Sequence, residues 1–287
     1  MKERSRLYPR VRIDAAGAGV VSQSGAVVLV ETARATGLDR GLSRSLASWR
    51  CPGARHDPGK VVLDLAVALA VGGDCLADAA VLRGEPRVFG PVASDPTVSR
   101  TISPLAVDAP RALAAIRAAR AAARARVWDL AGKHAPDHDI SAVAPLVIDL
   151  DATLVTAHSD KENARPTYKR GYGFHPLTAG GTSRLRGILD HGADGTGEPL
   201  AIQLRPGNAG SNTAADHIEV TRQALRQLPG RRAGTRPGRK VLVRTDGAGF
   251  SHAFLAWLSG QRLSYAPGGG TPRSGSACLT TSPTGSN

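Results

Sequence analysis

Cysteine, acid and long apolar runs are all scarce in this 287-residue chain, and each shortage removes a class of protein. The three cysteines, Cys51, Cys75 and Cys278, are odd in number, widely separated and without paired spacing, so neither a disulfide framework nor a zinc site is supported. The longest apolar stretch, Val61 to Val71, has 11 residues interrupted by Asp64, which suits a buried helix and not a membrane span. The opening MKERSRLYPR lacks the apolar core of a signal peptide, which predicts a cytoplasmic protein. Acids are outnumbered, 24 Asp plus Glu against 37 Lys plus Arg, for a net charge of +13. A polyanion is therefore the first partner to consider, nucleic acid before membrane, and nucleoid association is expected. Ser251 beside His252 has no third member, so no hydrolytic triad is supported. Gly17, Ala18 and Gly19 are half of a dinucleotide fingerprint without its strand and helix, and read as a turn.

What the chain does have is a stretch around which the rest is organised, PLVIDLDATLVTAH from Pro145 to His158. It reads as a buried strand with two acids inside it, continuing apolar through Leu154 and Val155. Branched residues on both sides of the pair fit a strand covered on both faces, where an unpaired charge is costly. Strand side chains alternate, so Asp149 and Asp151 share a face and a divalent cation or a phosphoryl group fits beside both. The plainer alternative is an acid that caps the next turn.

The length predicts about two domains. A helix is expected from Ser24 or Gly25 to Gly37, another from Gly59 to Gly72 and Gly73, and a third over Asp74 to Arg83. Ser94, Asp95 and Pro96 open a further helix through Arg100 and Ile102. Together the last two resemble a helix-turn-helix reader, with Arg100 toward DNA, or are two ordinary packed helices. Pro110 opens a long helix ended by Gly132, with Arg117, Arg120 and Arg124 on one face and Leu113, Ile116, Val127 and Leu130 opposite. The polar KHAPDHDISAVA marks the boundary, giving domains 1–140 and 141–262. Beyond the acidic stretch, strands are expected within or just after Tyr172 to Leu177 and at Pro199 to Arg205. A helix capped by Asn212 or Thr213 comes next, then the strand VLVRT delivering Asp246, and then the helix AFLAWLSG. Residues 263–287 read as a disordered tail rich in Gly, Ser, Pro and Thr.

The fold class is thus α+β or α/β: a helical amino-terminal domain, then a mixed sheet in the order of a ribonuclease-H-like core. In that order carboxylates from two strands and a later helix hold two Mg2+ or Mn2+ ions for in-line displacement at phosphorus. The blocks LASWRCPGARHDPGK, GGDCLADAAVLR, FGPVASDPTVSR, VIDLDATLVTAHSDKE, YKRGYGFHPL, LRPGNAGSNTAADHI and VLVRTDGAG occur in this order between Pro9 and Tyr265. Through them the chain resembles insertion-sequence transposases of the DDE type, group one. The resemblance implies binding to terminal inverted repeats of double-stranded DNA, assembly of a homo-oligomer there, and metal-dependent end cleavage and strand transfer. It implies Asp151 as the first catalytic carboxylate and metal ligand and Asp246 as the second, with Asp149 an alternative or supporting ligand. Lys169, Arg170 and His175 fall in a block that looks DNA-contacting, with packing an equal account.

One departure is plain: nothing after Asp246 is Asp, Glu or Lys, whereas the family takes a glutamate from a later helix. The catalytic domain is therefore expected to be incomplete, as in a truncated or frameshifted copy, and this chain to bind DNA but transpose poorly. Two rivals stand beside this reading. VIDLDATLV also fits the first motif of haloacid-dehalogenase-like phosphatases, with Asp149 as nucleophile and Asp151 as general acid. That mechanism needs a later lysine and acidic pair, which are missing. The other rival is a DNA-binding remnant without chemistry.

Overall fold

The computed structural model describes residues 7–11, 25–152, 154–157, 162–167, 170–180, 197–209, 212–230, 236–245, 249 and 251–267. The chain divides into two compact units, Met1–Ala131 and Gly132–Asn287. Among the described residues no helix is long and apolar enough to cross a membrane.

The first unit is helical. Helix α1 (Ala26–Thr36) ends where Gly37 takes the left-handed conformation, φ 75°, which lets α2 (Leu38–Ser45) start at once. No sequence signal announces α2, because LDRGLSRS is polar and carries Gly41. Packing explains that glycine: a β-carbon there would lie 3.5 Å from Ala119 Cβ on α7 (Ala109–Ala131), so the two helices touch closely. Helix α3 (Pro58–Ala70) is opened by Asp57, whose carboxylate accepts the Lys60 N–H at 3.1 Å, with proline in the first turn. It crosses α2 at Gly59, where any side chain would sit on the backbone of Leu42 and Ser43. The expected helix over Asp74 to Arg83 is reduced to a 3-10 turn, Leu76–Asp78, and the short α4 (Ala79–Arg83). Helices α5 (Pro86–Phe89) and α6 (Asp95–Val107) precede α7. Val27, Val30, Leu42, Leu63, Leu82 and Phe89 form the main core of this unit.

A polar knot sits inside that core. Lys60 and Asp64, one turn apart on α3, pair at 2.7 Å, and the buried Tyr8 hydroxyl donates to Asp64 at 2.7 Å. The Lys60 ammonium also lies 4.4 Å from the Tyr8 ring. Burial pushes the Lys60 ammonium down and the Asp64 carboxyl up, and their mutual attraction opposes both. Burial, then the Asp64 charge, pushes the Tyr8 hydroxyl far up, so it stays a donor.

Helix α7 keeps only Ile116 of its expected apolar stripe against the core. Leu113, Val127 and Leu130 are 45%, 42% and 58% exposed, whereas Ala112, Ala119, Ala123, Trp128 and also Arg124 are buried. Small alanines permit a close approach to α2, and the apolar residues of this Ala- and Arg-rich helix do not form one stripe.

The second unit is built on a five-stranded sheet in the order β6-β5-β1-β7-β8. Strand β1 (Leu146–Ala152) pairs antiparallel with β5 (Leu177–Gly180), which pairs antiparallel with β6 (Pro199–Gln203). On its other side β1 runs parallel to β7 (Val241–Thr245), and β7 parallel to β8 (Ser264–Pro267). This mixed sheet agrees with a ribonuclease-H-like α+β expectation. Helix α8 (Ala214–Arg226) packs on β1, β5 and β6, and α9 (His252–Gly260) packs on α8. Together they cover the face made by Leu150, Ala179, Ala201, Val243 and Thr245.

Two expectations change. The apolar run from Pro145 to His158 is two strands: β1 stops at Ala152, and β2 (Val155–Thr156) joins β4 (Tyr172–Phe174) and β3 (Arg165–Pro166) in a separate sheet. Gly173, at φ 152°, makes that sheet possible, because a side chain there would meet the Val155 carbonyl. The stretch from residue 263, expected as disordered tail, is structured at its start, and residues 268–287 lie outside the described residues. Ser264–Pro267 has too short a pattern to read as a strand, yet it pairs with β7 along Leu242 to Thr245.

Candidate active site

Because β1 and β7 are parallel neighbours, their carboxyl ends reach the same edge of the sheet, and the register pairs Leu150 with Thr245. Asp151 is the next residue of β1 and is exposed. Its backbone carbonyl accepts the Thr178 hydroxyl at 3.0 Å, and Thr178 pairs with Asp151 across β5 and with Ile202 beyond it. Asp246 follows Thr245 in the chain and lies outside the described residues.

Asp149 has a different setting. It is buried and faces Arg244 directly across the parallel pair. Nε of Arg244 donates to Oδ1 at 2.6 Å and Nη2 to Oδ2 at 2.8 Å, so both carboxylate oxygens are engaged by one planar guanidinium. Sequence reasoning passed over Arg244. Its signal was present: a charge inside VLVRT needs a buried partner as much as the charge inside VIDLD does.

The same edge gathers the start of α8. Thr213 caps it through the Asp216 N–H at 3.2 Å, and Asp216 returns the bond to the Thr213 N–H at 2.9 Å. Burial raises the Asp216 carboxyl, but the Thr213 bonds, Arg205 and Gln203 outweigh it and hold the group below its ordinary range. One turn on, buried His217 shares a hydrogen bond of 2.9 Å between Nδ1 and the Thr213 carbonyl, and its ring lies 5.3 Å from that of Phe254 on α9. A side chain at Gly249 would strike Thr245 and press on His217 Nε2, which explains the glycine just after the strand.

The DNA-contact candidates separate. Arg170 is exposed in the turn joining β3 to β4, with positive φ, 60°. Lys169 lies outside the described residues. His175 is buried, and its backbone N–H donates to the Arg205 carbonyl at 3.0 Å, which ties β4 and β5 to the end of β6. In the first unit Arg100 is exposed on α6 and donates to Thr97 Oγ1 at 3.2 Å.

The carboxylate of Asp151 is a hard oxygen donor of the kind a divalent cation takes, and that of Asp149 is engaged by Arg244. Asp151 is an exposed carboxylate at a strand end, whereas Asp149 already faces a fixed positive charge. Elsewhere Asp74, Cys75 and Asp78 bring ligand atoms within 4.8 Å of one another, but the Asp78 carboxylate accepts the Asp74 and Cys75 N–H groups and is explained as a cap. The family model described as transposase DDE domain group 1 matches residues 4–269. No curated protein matches the chain.

Proposed function

Since the chain belongs to the family of group 1 transposase DDE domains, we propose that it binds the inverted ends of a mobile DNA element and uses Asp151 and Asp246 for metal-dependent cleavage and strand transfer. The observation that carries this is the parallel pairing of β1 with β7. Thr245 pairs with Leu150, the residue before Asp151, and Asp246 is the next residue in the sequence after Thr245.

Mg2+ is the expected ion, held by Asp151 and Asp246, and would supply activation of the attacking hydroxyl and neutralisation of charge at phosphorus. Asp149 acts through position: its bond to Arg244 locks the β1–β7 register that sets Asp151 beside the end of β7. Thr178 steadies the Asp151 backbone. Arg100 and the turn carrying Arg170 offer exposed cations for phosphates, and His175 serves packing. The phosphatase alternative needs Asp149 as nucleophile, and Arg244 occupies both of its oxygens.

Residues 247–287 carry no Asp or Glu, and on this reading the 287-residue chain binds ends, as an oligomer on the DNA, and cleaves them weakly. The experiment is end cleavage with Mg2+ on a labelled duplex carrying the inverted repeats that flank the gene. Retained binding with slow nicking, lost in both Asp151→Asn and Asp246→Asn, is the expected result. Efficient cleavage would refute the impairment, and nicking that survives Asp151→Asn would remove the site.

A further inference from the structure

The first unit carries further exposed basic residues besides the α6 residue singled out by the sequence. From Leu38 to Asp57 the exposed charges are all positive: Arg40, Arg44, Arg50 and Arg55. The two acids of this stretch, Asp39 and Asp57, are each only 8% exposed. Asp57 is occupied by the Lys60 N–H and by the Ser43 hydroxyl, the latter at 2.8 Å, and its contact with Arg50 is a long 3.8 Å. Because Ser43 and Arg50 meet the same carboxylate, the end of α2 and the following loop form one surface. His56 adds no charge there at neutral pH: burial, then Arg55 and Lys60, holds it below its ordinary value.

This surface is built and not merely solvated. Leu46 is fully buried and pins the 3-10 turn Ala47–Trp49. Trp49 holds the Arg111 guanidinium at 4.8 Å, and Arg111 also reaches Ser48 Oγ at 3.4 Å, while keeping an ion pair of 3.2 Å with Asp108. Arg50 folds back to the Ala54 carbonyl at 3.1 Å. Arg44 and Arg55 make no ion pair among the described residues. The guanidinium groups of Arg50 and Arg111, held in place, lose little freedom on meeting a phosphate and match it with two parallel donors, and Arg44 and Arg55 add exposed charge beside them.

We propose that the end of α2, the loop from Ala47 to His56 and the first turn of α7 together clamp the phosphate backbone of double-stranded DNA, through Arg44, Arg50, Arg55 and Arg111. The inference rests on the transposase reading and adds to it residues other than Arg100. Such contacts position a duplex without reading its sequence.

The test measures duplex binding by the full chain against salt concentration, with Arg44→Gln/Arg55→Gln beside Arg44→Lys/Arg55→Lys and unchanged thermal melts as the control for folding. The Gln pair should weaken binding at least tenfold, equally on element ends and on unrelated duplex. It should flatten the slope of log K against log salt by roughly 2, about 0.9 for each lost phosphate contact. The Lys pair should keep the slope. An unaltered slope in the Gln pair, or a loss confined to single-stranded RNA, overturns the clamp while leaving the transposase reading intact. Failure of the unsubstituted chain to bind any duplex would bring down both.

Discussion

Arg244 and Asp149 cost free energy to bury singly and little to bury together, because each satisfies the other with two hydrogen bonds. Arg244→Met should therefore lower stability by about 3–5 kcal/mol, read as a fall in the urea midpoint. The double change Asp149→Leu/Arg244→Met should recover most of that loss, since no charge is left stranded. A single variant as stable as the parent would show that the pair is not held as described. Asp78 yields a prediction in pH. Its carboxyl accepts the Asp74 and Cys75 N–H groups, which lowers it from 3.8 to about 2. A depressed carboxyl stabilises fully above its unfolded value and loses that contribution as pH falls through the folded one. The stability difference between the parent and Asp78→Asn should thus be constant above pH 4 and shrink from there to pH 2, followed by urea titration. At this scale the sequence was half legible. The acids of VIDLD stood out in an apolar run, but which of them is engaged by Arg244 depends on a strand register that no single segment encodes.

Elements with a cap or an apolar run of their own were read well, and those made by packing were not. Thr213, one of two expected caps, accepts the Asp216 N–H and opens α8, and Ser94, Asp95 and Pro96 open α6 as expected. Helices α3 and α9 were read from their apolar runs, and Asp57 and Ser251 accept N–H groups of their first turns. Helix α2 and strand β8 have no such marker. One exists because Gly41 and Gly59 let neighbouring helices close on it, the other because β7 offers a free edge. The long α7 shows how a pattern misleads when alanine dominates: its buried side is the side of small residues. Ala119→Leu should accordingly cost about 1–3 kcal/mol through overpacking against Gly41, whereas Leu130→Ala should stay within about 0.5 kcal/mol. Chemical denaturation of the two variants distinguishes the observed face from its opposite.

For the molecule as a whole, the net charge was the legible feature. The helical unit and the sheet unit part at Ala131 and Gly132, at the end of α7 and ahead of the polar stretch 133–144 that was read as a boundary near residue 140. Lys133 is exposed there, so limited trypsin digestion should cut after it early and release two fragments that resist further cleavage. A uniform ladder of products would argue against two compact bodies. One property of the first unit reaches further. Tyr8 is wedged among α3 residues, and the Pro9 carbonyl accepts the Arg34 guanidinium at 3.2 Å, so the leading segment is a keystone of that unit. A shorter product begun downstream of it would open a wet gap beside Lys60 and Asp64 and lose its grip on α1. Trimming the front end should then weaken DNA binding indirectly, by loosening the first unit.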